Sequence, residues 1–313
     1  MSQRHPVAIL GAGMAGAAAA RRLAEAGHAV RIFDKGRDVG GRMATRHSGA
    51  MQFDHGAQFI RAHGAVFAAR LNDWERRGIV TPWAGAGRWV GVPDMNAPVR
   101  DLLLGLTVAR STTITRIRRN GASWHLTDGA GADHGPFAAI AITFPAPQAV
   151  ALLAQSGLAL TDIERATYAP CWSLMLAVEQ APAKVLLKPQ DGAIGLIALG
   201  SSKPGRPEGF RLTVHATPDW SRTHLEEPRE AIVSALTQSA VACLGTPLRW
   251  SYAEAHRWRY AQVEGALGKP CQYDSGLHLG AAGDWCLGPR AEAAHDSGLA
   301  LAEAILADLG TPS

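Results

Sequence analysis

Three glycines, one carboxylate and one arginine define the chemistry open to the N-terminal part of this chain. Gly11, Gly13 and Gly16 follow the apolar stretch Val7-Ala8-Ile9-Leu10 at the spacing G-x-G-x-x-G. A glycine turn between a strand and a helix bares backbone N–H groups at the helix N-terminus, and a dinucleotide's diphosphate binds well there. Gly11 permits the tight turn, Gly13 lets the diphosphate approach the backbone, and Gly16 lets the helix pack closely on its strand. Asp34 stands eighteen residues after Gly16, at the tip of a second apolar strand, placed to accept hydrogen bonds from a ribose diol. A carboxylate there repels a 2′-phosphate, which disfavours NADP at this site.

A second glycine pair follows. Asp34 and Lys35 lead into Gly40-Gly41-Arg42, a flexible turn with a guanidinium just past the ribose-binding acid. Arg42 is suited to a bidentate phosphate contact, which lysine makes less well. This arrangement resembles the glutathione-reductase-like flavoproteins of the amine oxidase type, which hold FAD. The alternative for the same stretch is a signal peptide, with Arg4 before an apolar run from Pro6 to Ala20. The fingerprint glycines count against it, as does the continuation Arg21 to Gly27, which reads as an amphipathic helix closed by glycine. The run is also shorter than the ~20 apolar residues of a membrane span.

The 313 residues suffice for a sizeable core and two domains, and 47% hydrophobic against 19% charged residues suits a folded enzyme. The net charge is +4, and only five of the 31 basic residues are lysines. The densest arginine cluster, Arg116, Arg118 and Arg119, reads as a solvated strand edge and not as a nucleic-acid surface. A weakly basic surface can nevertheless steer an anionic, dinucleotide-like substrate. Cys171, Cys243, Cys271 and Cys286 show no C-x-x-C spacing, which argues for free thiols in a reducing compartment. No histidine pattern suggests a metal site, no span suggests a membrane, and a cytoplasmic location is expected.

Further along, Phe53 to Phe59 reads as a strand end and tight turn, and Ala65 to Arg77 as a helix. Short β-branched runs from Leu106 to Phe144, with a turn at Asn120-Gly121, predict a meander ending in the strand Ala138–Thr143. Strands at Trp172–Val178, Gly195–Leu199 and Arg211–His215 around a helix from Pro228 to Cys243 predict an antiparallel substrate domain. His278 to Asp284 is a strand ending in an acid, and Glu292 to Leu309 a helix. The expected fold is α/β: a Rossmann-type FAD-binding domain made of residues 1–70, 100–150 and 270–313. The inserted antiparallel-sheet substrate domain takes 71–99 and 151–269.

Several later motifs narrow the resemblance. Asp54-x-Gly56-Ala57-Gln58, Arg88-Trp89-Val90-Gly91, Ser202 to Arg206, His215-Ala216-Thr217-x-x-Trp220-Ser221, Ala255 to Ala261 and Gly283 to Leu287 together resemble the bacterial renalases over residues 6 to 309. That resemblance implies FAD and a substrate that is a 2- or 6-dihydro isomer of NAD(P)H. It is oxidised to NAD(P)+, and O2 takes the electrons as hydrogen peroxide. Loss of a hydride alone needs orientation and no general base. The resemblance assigns FAD binding to Gly11, Gly13, Met14, Ala15, Gly16, Asp34, Lys35, Arg42, the backbone of Ile114, Gly283, Asp284, Glu292 and Ala293. It assigns the isoalloxazine lining to Gly56, Ala57, Gln58 and Phe59, and the catalytic pocket to His256, Trp258, Tyr260 and Gln58, backed by Trp89 and Trp172. Two departures stand out: His55 replaces an apolar residue of the family, and Ala293 replaces a glycine where a helix N-terminus approaches the ring. For the tryptophans the competing role is core packing.

Two other functions remain open. One is a flavin oxidase of an amine or another reduced heterocycle; such enzymes carry a lysine near the flavin, and only Lys203 lies in a motif-bearing loop. The other is a flavin-binding scaffold or redox sensor without catalysis.

Overall fold

A computed structural model describes residues 5–310; Arg4 lies outside them. Strand Val7–Leu10 is buried along its whole length and sits near the middle of a six-stranded sheet. Its neighbours are Val30–Phe33 and Ala139–Ile142, both parallel to it. Val108–Ala109 extends the sheet beside Val30–Phe33, and Leu279–Ala281 extends it beside Ala139–Ile142. Gln272–Asp274 pairs antiparallel with Leu279–Ala281 at that edge. One sheet thus collects strands from the start, middle and end of the chain. Unbroken apolar runs such as VAIL and AIAI suit strands covered on both faces.

Helix Met14–Glu25 packs on the C-terminal helix Ala291–Leu309. Their approach is close: a Cβ on Gly298 would lie 2.1 Å from the Ala15 carbonyl oxygen. Helix Ala65–Arg76 adds Phe67, Leu71 and Trp74 to the same core. Residues 71–99, expected in the substrate unit, place Val80, Trp83, Val90 and Met95 in this cluster beside Val7 and Ile9.

The expected meander is a three-stranded antiparallel sheet, Ile114–Asn120, Ser123–Asp128 and Asp133–Phe137. Asn120 pairs with Ser123, so the two-residue turn is Gly121-Ala122, one position later than expected. Arg116, Arg118 and Arg119 are exposed there, as expected.

The second large sheet is antiparallel, in the order Leu186–Leu187, Ile194–Leu199, Phe210–Ala216, Thr167–Val178, Trp250–Gly265. Alternation along Thr167–Val178 divides its faces. Trp172, Leu174, Leu176 and Val178 pack with Ile232, Leu236 and Ala240 of helix Arg229–Leu244. Met175 and Ala177 on the opposite face pack against Phe53, which brings the strand Met51–Asp54 onto the sheet. The loop that follows Asp54 is thereby held between the two large sheets.

Candidate active site

The dinucleotide cradle is built from backbone. The first intrahelical bond runs from the Ala17 N–H to the Gly13 carbonyl, at 2.9 Å, so the N–H groups of Met14, Ala15 and Gly16 are free to point beyond the helix. A Cβ on Gly16 would lie 1.9 Å from the Gly11 carbonyl oxygen, whereas one on Gly13 would meet nothing within 4 Å. Gly16 is therefore demanded by packing, and Gly13 faces open space of the kind a bound diphosphate fills. The Gly40 N–H donates to the Ala12 carbonyl at 2.9 Å, which draws the second glycine turn against the first. Asp34 accepts from the Ala12 N–H through Oδ2 and from the Gly36 N–H through Oδ1, both at 2.6 Å. Its carboxylate is locked at the strand tip, with lone pairs left for a diol. Lys35 beside it is exposed. The Thr112 N–H donates to the Asp34 carbonyl at 2.8 Å and brings the backbone approaching Ile114 to the same place.

Arg42, expected on a phosphate, forms a bidentate pair with Asp284: Nη1 to Oδ2 at 2.8 Å and Nη2 to Oδ1 at 2.7 Å. Two residues given separate cofactor contacts are thus partners, linking the second glycine turn to the start of the short helix Asp284–Leu287. Gly283, just before that helix, donates its N–H to Ser297 Oγ at 3.0 Å. Glu292 is buried and accepts from the N–H groups of His63 at 2.9 Å and Gly64 at 2.6 Å, so it anchors the turn that leads into helix Ala65–Arg76. Ala293 is buried beside it.

The loop Asp54–Phe59 forms the other wall. The Ala57 N–H donates to the Arg42 carbonyl at 2.8 Å, and a Cβ on Gly56 would lie 2.0 Å from that oxygen, so only glycine allows this approach. Beneath the loop lies a buried ion cluster. Lys203 Nζ donates to Asp54 Oδ2 at 2.9 Å and to Gln58 Oε1 at 3.1 Å. Arg206 Nη2 reaches the same Asp54 oxygen at 2.7 Å, and Thr45 Oγ1 donates to Oδ1 at 2.7 Å. Burial alone would raise the Asp54 carboxyl, but Lys203 and Arg206 outweigh it and hold the group well below the usual carboxylate range. Burial lowers the Lys203 ammonium, against the pull of Asp54. Gln58 also donates to the Asp54 and Gly56 carbonyls, which fixes its amide orientation.

The antiparallel sheet supplies a row of side chains facing this loop. Ser173 pairs with His215 on one neighbouring strand and with His256 on the other, so the three share one face. His55 sits over the row. Its carbonyl accepts from Trp258 Nε1 at 2.9 Å and lies 3.3 Å from His215 Nε2. Its ring centroid is 4.8 Å from that of His256 and 5.0 Å from Trp258. Burial lowers His55 to about 3, assisted by His256. It also lowers His215 to about 4, and His256 to about 4 with help from Arg46 and Arg229. All three imidazoles are neutral at pH 7. His55 Nδ1 and Ser173 Oγ are buried without a hydrogen-bond partner. Native structures seldom leave such atoms unsatisfied.

His256 and Trp258 thus come together with the Gln58 loop. Tyr260, two residues on, packs instead edge-to-face on Tyr168 at 5.7 Å, near Arg42 and not with His256. Trp172 lies in the core against helix Arg229–Leu244, its Nε1 donating to the His224 carbonyl at 2.9 Å. Trp89 is half-buried, with its Nε1 3.2 Å from Glu75 Oε2. For Trp172 packing prevails over the pocket role. The motifs around Asp54 and Ser202–Arg206 were visible in the sequence, but their pairing was not, because 149 residues separate Lys203 from Asp54. His215 stood in a motif but without a role, and Ser173 lacked any signal beyond strand alternation.

Among the described residues no group of His, Cys, Asp and Glu side chains could hold a metal ion, and no helix is long and apolar enough to cross a membrane. A family model described as NAD(P)-binding Rossmann-like domain matches residues 9–73. Over 54 residues the chain is 46% identical to a 4,4'-diapophytoene desaturase of Staphylococcus haemolyticus and 44% identical to that of Staphylococcus aureus. The matched stretch is 17% of this chain and 11% of each desaturase, so only a small part of those relatives is shared. Among solved structures, a chain of Exiguobacterium sp. 255-15 described as a protoporphyrinogen oxidase superposes with a TM-score of 0.76 at 12% identity, covering 97% of this chain and 99% of that one. Cyclohexylamine oxidase of Brevibacterium oxydans superposes with a TM-score of 0.69 at 14% identity, covering 98% and 100%. The likeness of fold therefore extends over nearly the whole chain, well beyond the N-terminal motif.

Proposed function

We propose that the protein is an FAD-dependent oxidase of isomeric dihydronicotinamides, taking 2- or 6-dihydroNAD(P) to NAD(P)+. Residues 1–70, 100–150 and 270–313 carry the cofactor, and 71–99 with 151–269 form the substrate side. Gly11 to Gly16, Asp34 and the Arg42–Asp284 pair hold FAD, and the loop Gly56–Phe59 borders its ring. Bound flavin supplies a hydride acceptor that O2 regenerates with release of hydrogen peroxide.

The observation that carries the reading is the row His215–Ser173–His256 under His55 and Trp258. Its imidazoles are uncharged at neutral pH, and the rings of His55, His256 and Trp258 pack together beside it. Asp54, next to His55 in the chain, is engaged by Lys203, Arg206 and Thr45 and is no free base. Such a site orients a flat donor, excludes water and tolerates the pyridinium cation that forms, because no positive imidazole opposes it. Hydride loss from a dihydropyridine requires nothing more of the protein. Four cysteines without disulfides fit a reducing, cytoplasmic setting.

The test is anaerobic mixing of the flavin-loaded protein with each dihydroNAD isomer, followed by absorbance of the oxidised flavin. Rapid bleaching by one isomer, reversed by air with peroxide formed, is the expected result; unchanged absorbance with both overturns the assignment. A flavin oxidase of an amine is the second reading, favoured by the buried Lys203 in contact with Gln58. Bleaching by amines alone selects it.

A further inference from the structure

A second set of cations gathers where the edge strand Leu186–Leu187 of the antiparallel sheet meets the loop between strands Val80–Pro82 and Trp89–Gly91. Ala84, Arg88, Lys184, Val185, Leu186 and Lys188 line a cleft of about 500 Å³ there. Two of these residues reach Phe59: Arg88 lies 5.5 Å and Lys188 5.4 Å from its ring centroid, and Arg61 joins them at 5.4 Å. Two of the five lysines in the chain therefore lie at one cleft.

Among the described residues none of Arg61, Arg88, Lys184 and Lys188 forms an ion pair, although most other ion pairs here use arginine. The Arg88 Nε is buried without a hydrogen-bond partner, while its Nη1 donates to the Ala84 carbonyl. Glu75, the carboxylate bonded to neighbouring Trp89, pairs with none of the four. Cation–π attraction is worth about 0.5–1 kcal/mol at exposed sites and brings no counter-charge. Three like charges around one ring repel each other until an anion joins them. Phe59 follows Gln58 directly, so the anion's place adjoins the proposed flavin wall. In a dihydronicotinamide dinucleotide the diphosphate lies one ribose from the reacting ring, which matches that adjacency.

We propose that Arg88, Lys184 and Lys188 of the cleft, with Arg61 beside Phe59, form an anion subsite that holds the diphosphate of the dinucleotide substrate. It rests on the dihydronicotinamide reading above and names the part of the substrate that reading leaves unplaced. The subsite selects phosphorylated dihydronicotinamides over the phosphate-free nucleoside and makes capture of the dinucleotide sensitive to salt.

The experiment compares kcat/KM of the holoenzyme for a dihydronicotinamide dinucleotide and for the corresponding phosphate-free nucleoside, in wild type, in Arg88→Gln and in the pair Lys184→Gln/Lys188→Gln. Lys269→Gln, at a surface ion pair with Asp162, controls for loss of positive charge elsewhere. The preference for the dinucleotide is expected to fall about tenfold in either cleft variant, through KM, and to be unchanged in Lys269→Gln. Both cleft lysines are exposed, so their variant tests the subsite even if Arg88→Gln does not fold. An unaltered preference in the cleft variants overturns the subsite. Should neither dihydronicotinamide be oxidised, the functional reading fails, and calorimetric titration of the holoprotein with inorganic pyrophosphate decides the subsite separately. Binding by wild type that the lysine pair variant loses supports it, and no binding by wild type, or equal binding by both, overturns it.

Discussion

The glycine cradle draws on the single stretch from Gly11 to Arg42, and its contacts are mostly backbone to backbone or backbone to Asp34. The histidine row draws on four segments between His55 and Trp258, and its contacts are side chains meeting across strands. The first is specified by what is absent, a Cβ at Gly16; the second by which large groups alternation brings to one face. A region of the first kind fails by steric exclusion, one of the second by loss of partners.

Gly16→Ala breaks the cradle most severely. Its methyl would sit 1.9 Å from a backbone oxygen that cannot move aside cheaply. We expect protein that purifies without yellow colour, or does not fold, as measured by flavin absorbance and circular dichroism. Gly13→Ala, with nothing within 4 Å, should fold with an unchanged Tm and lose only affinity for FAD. Equal damage from both substitutions would show that the cradle is not an open anion seat beside a tight packing contact.

This contrast also explains what the sequence could reveal. The cradle, the strands around it and the C-terminal helix were legible because glycine spacing and apolar runs are local signals. His256 and Trp258 were legible through their motif and alternation. The Arg42–Asp284 pair was not, since both residues had local roles that competed with their meeting across 242 positions. The packing of Tyr260 on Tyr168 was not legible either, because the register between its strand and Thr167–Val178 shifts just past Trp258. Trp172 was a matter of strand parity: its neighbour Ser173 faces the site and Trp172 therefore faces the helix.

Lys203→Met tests whether the loop wall depends on partners. It leaves the buried Asp54 with fewer counter-charges and Gln58 Oε1 without its donor. Breaking one partner of a buried ion pair costs about 3–5 kcal/mol, to be read from urea denaturation of the holoprotein. The double variant Asp54→Asn/Lys203→Met should recover part of that loss; strictly additive losses would mean the two groups act independently.

Trp258→Ala removes an aromatic wall and the donor to the His55 carbonyl. Its effect should appear in turnover more than in folding, since Trp258 is only partly buried. Loss of orientation by about an ångström costs on the order of a hundredfold in rate. A kcat/KM for the best dihydronicotinamide isomer within about twofold of wild type would remove Trp258 from the pocket.

The gentlest test is of charge. His55, His215 and His256 have folded-state values of about 3, about 4 and about 4, below the ordinary 6.5. Between those values the unfolded chain binds protons that the folded chain refuses, so stability is full above pH 6.5 and declines as pH falls toward 4. His55→Leu removes one of the three groups together with the orphaned Nδ1, and restores the apolar character that the surrounding aromatic rings favour. The variant should therefore match or slightly exceed wild-type stability at pH 7, and its stability should fall less steeply between pH 6 and 4.5, as measured by urea midpoints at each pH. An identical slope would mean that His55 titrates normally and that the row is wetter than its burial implies. A stability loss at pH 7 would instead reveal a partner for Nδ1, placing a bound molecule against His55 in the resting protein.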